Sequence, residues 1–192
     1  MSGSAKIVTA KDLQLLRTRL ARGRQGARNI AILLLSFKAG LRACEIAGLD
    51  WSMVTTPNGS IADTITIGRS IAKNGRARRV PLNPDLRTAL VALAIQAGKP
   101  RMGPVIVSGR GGHLTAGSVV NWFTALYAKA GLQGCSSHSG RSTFITNSAR
   151  MVAKVGGCLR DVQELAGHSA LTTTERYIEG NRDAQRKLIR LI

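Results

Sequence analysis

Acidic residues are scarce in this chain of 192 residues: 10 Asp and Glu stand against 28 Lys and Arg, a formal charge of +18. Cysteine is scarcer still. Cys44, Cys135 and Cys158 are an odd number with no close pair, which argues against a disulfide framework or a zinc site and fits a reducing compartment. No apolar run approaches the roughly 18 residues needed to span a bilayer. Residues Met1 to Ala5 lack the apolar stretch of a signal peptide. These absences point to a cytoplasmic protein with no membrane partner. Internal repeats, low-complexity segments and internal linkers are also missing, so residues 1–192 read as one domain long enough to bury a core.

What is present is positive charge. A small domain at +18 repels itself unless a polyanion neutralises it, and nucleic acid is the commonest such partner. The excess is mostly arginine, which suits bidentate phosphate contacts. It is spread along the chain, as in Arg17, Arg19, Arg22, Arg24 and Arg28, then Arg76, Arg78 and Arg79. A folded basic surface explains that spread better than a basic tail does.

The periodicity predicts a mainly helical fold with a small antiparallel sheet (α+β). Thr9 caps a helix carrying Leu13, Leu16 and Leu20, and Gly23 to Gly26 breaks it. Residues 28–38 read as a buried helix ended by Gly40, with a short helix from Ala43 to Ala47. Thr64 to Ile67 and Ser70 to Ala72 alternate like strands. Asn74-Gly75 before Arg78 to Leu82 then predicts a hairpin with Lys73 at its tip. Asn83-Pro84 opens a helix to about Gln96. Thr115 caps another, with Val119, Trp122, Phe123, Leu126 and Tyr127 as its buried stripe. Further helices are expected at about 139–153, 159–166, 171–179 and 183–191.

Four stretches carry chemistry-bearing residues. They are Gly40-Leu41-Arg42-Ala43-Cys44-Glu45, the hairpin Lys73, His138-Ser139-Gly140-Arg141, and Leu165-Ala166-Gly167-His168, with Tyr177 nine residues further on. Each has an ordinary structural reading: Arg42 as a helix cap paired with Glu45, Lys73 as a solvated turn residue, either histidine as a satisfied structural group. His113, in a Gly-rich loop, matches none of the stretches. Tyr127 is the competing tyrosine, but its place in an apolar stripe favours packing. Cys135 near His138 suggests a thiol nucleophile only weakly, because no orienting Asn or Asp accompanies the pair.

Taken together and in order, the four stretches resemble the catalytic boxes of the tyrosine recombinase (phage integrase) family over about residues 9–180. The resemblance implies DNA cleavage and rejoining through a covalent 3′-phosphotyrosyl link at Tyr177, without ATP, metal or other cofactor. It implies that Arg42 and Arg141 clamp the phosphate, Lys73 protonates the leaving 5′ oxygen, and His138 acts as a general acid/base. His168 would hydrogen-bond the phosphate or the nucleophile, and Glu45 would support Arg42. Such roles suit the chemistry. A phenol with a pKa of about 10 needs activation, and cationic donors on the non-bridging oxygens stabilise a pentavalent transition state. Arg76, Arg78, Arg79 and Arg176 are expected to touch DNA. The partner implied is double-stranded DNA, with four copies assembling on two sites and a monomer free in solution. The segment 181–192 would dock on a neighbouring copy or on its own domain.

Three departures from the family pattern stand out. Gly140 and Ser142 flank Arg141 where the family has leucine and a basic or imidazole residue. The interval from Arg141 to His168 is longer than usual, with extra sequence near Ala149 to Gly157. The N-terminal DNA-clamping domain of most members is not seen before residue 9, which reads as a short member or an isolated catalytic domain. A DNA-binding module that no longer cuts, and supercoil relaxation as by type IB topoisomerases, are the competing functions.

Overall fold

The computed structural model describes residues 5–23, 25–72, 75–178, 185–186 and 189–190. Helix α1 spans Ala10–Ala21 and opens on Thr9, whose hydroxyl accepts from the Asp12 N–H at 3.1 Å. Helix α2, Gly26–Ala39, carries the run Ala31 to Leu35, all fully buried. It packs against α1, against α4 (Pro84–Gln96) and against α6 (Ser139–Met151), and so forms the spine of the core. Gly40 ends α2 in the left-handed region at φ 62°, and the short helix α3, Ala43–Ala47, follows at once. Helix α5, Ala116–Ala130, caps on Thr115 and buries Val119, Phe123 and Tyr127 against the core, next to α3. Trp122 and Leu126 of the expected stripe are only partly buried.

Strand β1, Thr64–Ile67, pairs antiparallel with β2, Arg78–Pro81, in the register Thr64 to Pro81 and Ile67 to Arg78. Ile65, Ile67 and Val80 face the core while Thr66 and Arg79 face outward, the alternation a half-buried ribbon requires. The expectation of a strand at Ser70 to Ala72 is corrected. Those residues form a turn in which the Ile71 and Ala72 N–H groups both donate to the Gly68 carbonyl, at 3.3 and 3.2 Å. The Ile71 side chain lies close against Gly48 at the end of α3, which draws the segment off the sheet. Gly75 keeps the positive φ expected of the turn, 62°, whereas Lys73 and Asn74 lie outside the described residues.

The C-terminal third is a second, smaller apolar cluster. Ile145 of α6 and Val162 and Ala166 of α7 (Leu159–Ala166) are buried there, with Phe144, Leu159 and Tyr177 packed around them. The stretch expected to be extra, near Ala149 to Gly157, holds the end of α6 and a 3-10 turn, Val152–Val155, closed by Gly156 at φ 76°. Helix α8, Leu171–Glu175, is shorter than the expected 171–179. The Tyr177 N–H bonds the Thr174 carbonyl at 3.0 Å, and the Tyr177 carbonyl accepts from Thr146 Oγ1 at 3.1 Å. The expected helix at 183–191 falls mostly outside the described residues. Among the described residues, no helix is long and apolar enough to cross a membrane.

Gly140 has a physical reason. It sits where α6 crosses α2, and a Cβ there would overlap Ser36 Oγ and the Phe37 ring. The absence of a side chain lets the two helices approach and sets the height of Arg141, the next residue. Gly140→Ala is expected to lower stability by about 1–3 kcal/mol through overpacking, read from the urea midpoint at unchanged slope.

Candidate active site

Arg42 is the N-cap of α3, and Glu45 is its third residue. Glu45 Oε2 accepts the Arg42 backbone N–H at 2.8 Å, and Oε1 accepts Arg42 Nη1 at 3.2 Å. The same carboxylate takes a second, bidentate partner from β2. Arg78 Nη1 lies 2.6 Å from Oε1 and Nη2 2.8 Å from Oε2. The Glu45 side chain is 0 % exposed and that of Arg78 8 %. Burial pushes the Glu45 carboxyl up, but the hydrogen bonds and charges of Arg78 and Arg42 outweigh it, and its pKa ends below the usual carboxylate value. The group is therefore an ionised, enclosed anchor for two arginines.

The second anchor is the end of α7. The last carbonyls of a helix have no partner within it and carry the negative end of its dipole. Here three successive carbonyls receive three arginines. Leu165 O accepts from Arg78 Nε at 3.1 Å, Ala166 O from Arg141 Nη2 at 2.6 Å, and Gly167 O from Arg42 Nη2 at 3.5 Å. Arg141 Nη1 also donates to the Gly40 carbonyl, which ties the ends of α2 and α7 together. Arg141 is 3 % exposed. Burial, and then the charge of Arg42, bring its pKa down to about 10, so it remains a cation at neutral pH. A guanidinium has five N–H donors, and two Arg141 nitrogens are already tied to carbonyls, so its direction is fixed while donors remain.

His168 follows Gly167, whose left-handed conformation (φ 64°) ends α7 and whose missing Cβ lets the Arg78 side chain lie against its Cα. The His168 backbone is held at both ends by Gln163: its N–H donates to the Gln163 carbonyl at 3.1 Å, and its carbonyl accepts Gln163 Nε2 at 3.1 Å. Its ring stacks on Tyr177 at 5.7 Å between centroids and 17° between planes, and Nδ1 meets Thr174 Oγ1 at 2.9 Å. Burial first, then the charges of Arg141, Arg42 and Arg78, push the imidazole down to about 4. His168 is thus neutral at physiological pH. Tyr177 is half-buried, just beyond α8.

Arg42, Glu45, Arg141, His168 and Tyr177 come together as the sequence suggests. His138 is exposed at the N-cap of α6, one turn before Arg141, and its N–H donates to Ser136 Oγ at 3.2 Å. Arg76 and Arg79 are exposed and, with Arg160, Gly167 and His168, line an open cleft of about 670 Å3 between β2 and α7. Arg176 is exposed beside Tyr177. Arg78 departs from the expectation. Grouped with its neighbours as a surface arginine, it is instead turned inward beneath the cluster, on the same face of β2 as buried Val80. That period of two was the signal available in the sequence. Tyr127 is 1 % exposed, stacks on Phe123 at 5.8 Å, and has its pKa raised by burial and then by Cys135, as fits a packing residue. His113 accepts a structural role, its Nδ1 lying 3.2 Å from the Ala47 carbonyl. Among the described residues, no cluster of His, Cys, Asp or Glu could hold a metal ion.

Residues 6–183 match the phage integrase family. The chain is 31% identical over 157 residues to the tyrosine recombinase XerC of Rhodospirillum centenum, covering 80% of this chain and 43% of that protein. To XerC of Myxococcus xanthus it is 32% identical over 163 residues, covering 80% and 51%. The chain thus spans about half the length of these curated relatives. Its fold is similar to that of XerA recombinase (TM-score 0.71, 22% identity, 96% of this chain and 64% of that one). It is also similar to the Tn1549 transposon integrase in complex with transposon right end DNA (TM-score 0.77, 17% identity, 97% and 66%).

Two outcomes test the electrostatic frame. Arg78→Met leaves the enclosed Glu45 carboxylate without its bidentate partner and is expected to lower stability by about 3–5 kcal/mol in urea unfolding, with Arg78→Lys losing less. In the unfolded chain His168 takes up a proton near pH 6.5, but in the fold only near 4. Between those values the unfolded state holds more protons, so stability falls as pH drops from about 6.5 towards 4. Urea midpoints measured across that range are expected to show a slope that His168→Asn reduces.

Proposed function

The chain belongs to the phage integrase family, and we propose that it breaks and rejoins DNA at specific sites through a covalent link to Tyr177. The observation that carries this reading is the convergence on the C-terminal end of α7. Arg141 and Arg42 bond the carbonyls of Ala166 and Gly167, and the next residue, His168, stacks on Tyr177. Two fixed cations, a neutral imidazole and a half-buried phenol are what a phosphodiester transfer needs in one place.

In the proposed step the Tyr177 oxygen attacks phosphorus. The bond to the 5′ oxygen breaks, that oxygen leaves as a hydroxyl, and the 3′ phosphate remains on the tyrosine. Reversal by a 5′ hydroxyl from another strand restores a phosphodiester and frees Tyr177, so no ATP is needed. Arg42 and Arg141 bind the non-bridging oxygens, where charge accumulates in the transition state. Lys73 protonates the departing oxygen, and His138 serves as acid/base at the phosphate. His168 contributes a hydrogen bond, and Glu45 keeps Arg42 in position.

Double-stranded DNA is the proposed partner. The net charge of +18 supports it, as do the exposed Arg76, Arg79 and Arg176 around the site. Among proteins of similar fold, XerH recombinase is bound to its difH substrate. Assembly of four copies on two DNA sites belongs to the same proposal.

The test is a covalent adduct with nicked duplex DNA on a denaturing gel. Wild type is expected to form it, Tyr177→Phe to form none while still binding DNA, and Arg141→Ala to be slower by about 100–1,000-fold. An adduct with Tyr177→Phe would overturn the assignment of the nucleophile. Binding without any adduct would favour a silent DNA-binding module. Relaxation of supercoils without strand exchange would favour a topoisomerase-like role.

A further inference from the structure

We infer that Thr174 is a positioning residue that holds His168 as the tautomer protonated on Nε2, making that ring a hydrogen-bond donor to the phosphate rather than a base for Tyr177. The inference rests on the function proposed above and narrows the part His168 plays in it.

Thr174 is 0 % exposed, and its Oγ1 lies 2.9 Å from His168 Nδ1. A neutral imidazole has one N–H donor and one bare acceptor nitrogen, and which is which follows from their partners. Two arrangements fit the distance. If Nδ1 carries the proton, it donates to Oγ1, and the Thr174 O–H then needs an acceptor elsewhere. Among the described residues this hydroxyl has no other hydrogen bond, and a buried donor without an acceptor costs about 1–3 kcal/mol. If instead the Thr174 O–H donates to Nδ1, both groups are satisfied by one bond and the ring proton lies on Nε2. The second arrangement is favoured.

The surroundings keep the ring from escaping this choice by taking a second proton. The guanidinium groups of Arg42, Arg78 and Arg141 are its charged neighbours, with Tyr177 stacked on its face. Three cations oppose an imidazolium. A ring fixed as neutral, with Nδ1 used by Thr174, has one free function, the Nε2–H. A donor suits a non-bridging phosphate oxygen. It cannot accept the Tyr177 proton, so that proton must go to another group or to solvent. The same residue ties this choice to the nucleophile, since the Thr174 carbonyl accepts the Tyr177 N–H at 3.0 Å.

The test uses nitrogen-detected NMR of the imidazole in the full chain, with the His168 signals assigned by their loss in His168→Gln. Wild type is expected to show a protonated Nε2 and a bare Nδ1. Thr174→Val keeps the shape but lacks the hydroxyl; it is expected to move the ring towards Nδ1 protonation. On a library of nicked duplexes with randomised arms, it should slow adduct formation by about tenfold or more. Thr174→Ser is expected to restore both readouts. A wild-type ring protonated on Nδ1, or an unchanged tautomer in Thr174→Val, would overturn the inference. Should the valine variant fail to fold, the wild-type tautomer decides alone. Absence of any wild-type adduct would count against the proposed function and leave the NMR result to judge Thr174.

Discussion

An ionised carboxylate that is 0 % exposed, as that of Glu45 is, is tolerated only when its partners replace the water it has lost. Arg78 supplies two hydrogen bonds and Arg42 two more, one from its backbone. These contacts join α3 to β2, segments 33 residues apart in sequence at Glu45 and Arg78. Because Arg78 also reaches the Leu165 carbonyl, the same cluster holds the C-terminal end of α7 against β2. Everything else at the site hangs from that end: the carbonyls that hold Arg141 and Arg42, the left-handed Gly167, and His168 beyond it.

Three guanidinium groups in one place repel each other, and the arrangement has two ways of containing that repulsion. One is the full charge of Glu45; the other is the set of partial charges on the terminal carbonyls of α7. Neither cancels the positive field completely. The residue appears in the electrostatics of the neighbours, since Arg42 helps lower the pKa of Arg141, and all three arginines help lower that of His168. A site left net positive before any ligand arrives is prepared for an anion. Burial is the larger reason that His168 stays neutral, and the field that adds to it would also stabilise a negative phosphate oxygen.

The elements set by local chemistry were legible in the sequence. Thr9, Asn83 and Thr115 each cap the helix expected of them, because a cap is decided within three residues. The order of Arg42, Arg141, His168 and Tyr177 could also be seen, although their convergence could not be derived from spacing alone. Features decided by contacts between distant residues were less visible. Ser70 to Ala72 alternate like a strand, but Ile71 packs against Gly48 and the segment turns. Arg78 stood in a basic run that suggested a surface; the period of two on β2 turns it inward, but its partners Glu45 and the Leu165 carbonyl could not be seen from the sequence. Thr174 gave no sign, because a threonine in a helix needs a specific buried partner before its hydroxyl has a task.

The glycines around the cluster belong to the same constraint. A Cβ at Gly40 would run into the Phe144 ring, one at Gly140 into Ser36 and Phe37, and one at Gly167 into the Arg78 side chain. Each lies next to a chemistry-bearing residue or one removed from it: Arg42, Arg141 and His168. Close approach of backbone is what brings the Gly40 and Ala166 carbonyls to Arg141 from two different helices. The missing Cβ at Gly140 lets α6 lie close on α2 and so keeps Arg141 within reach of both carbonyls. The glycines thus serve the packing around one charge geometry, and the half-buried Tyr177 lies at its edge, where, under the proposed function, a DNA phosphate held by the arginines would meet it.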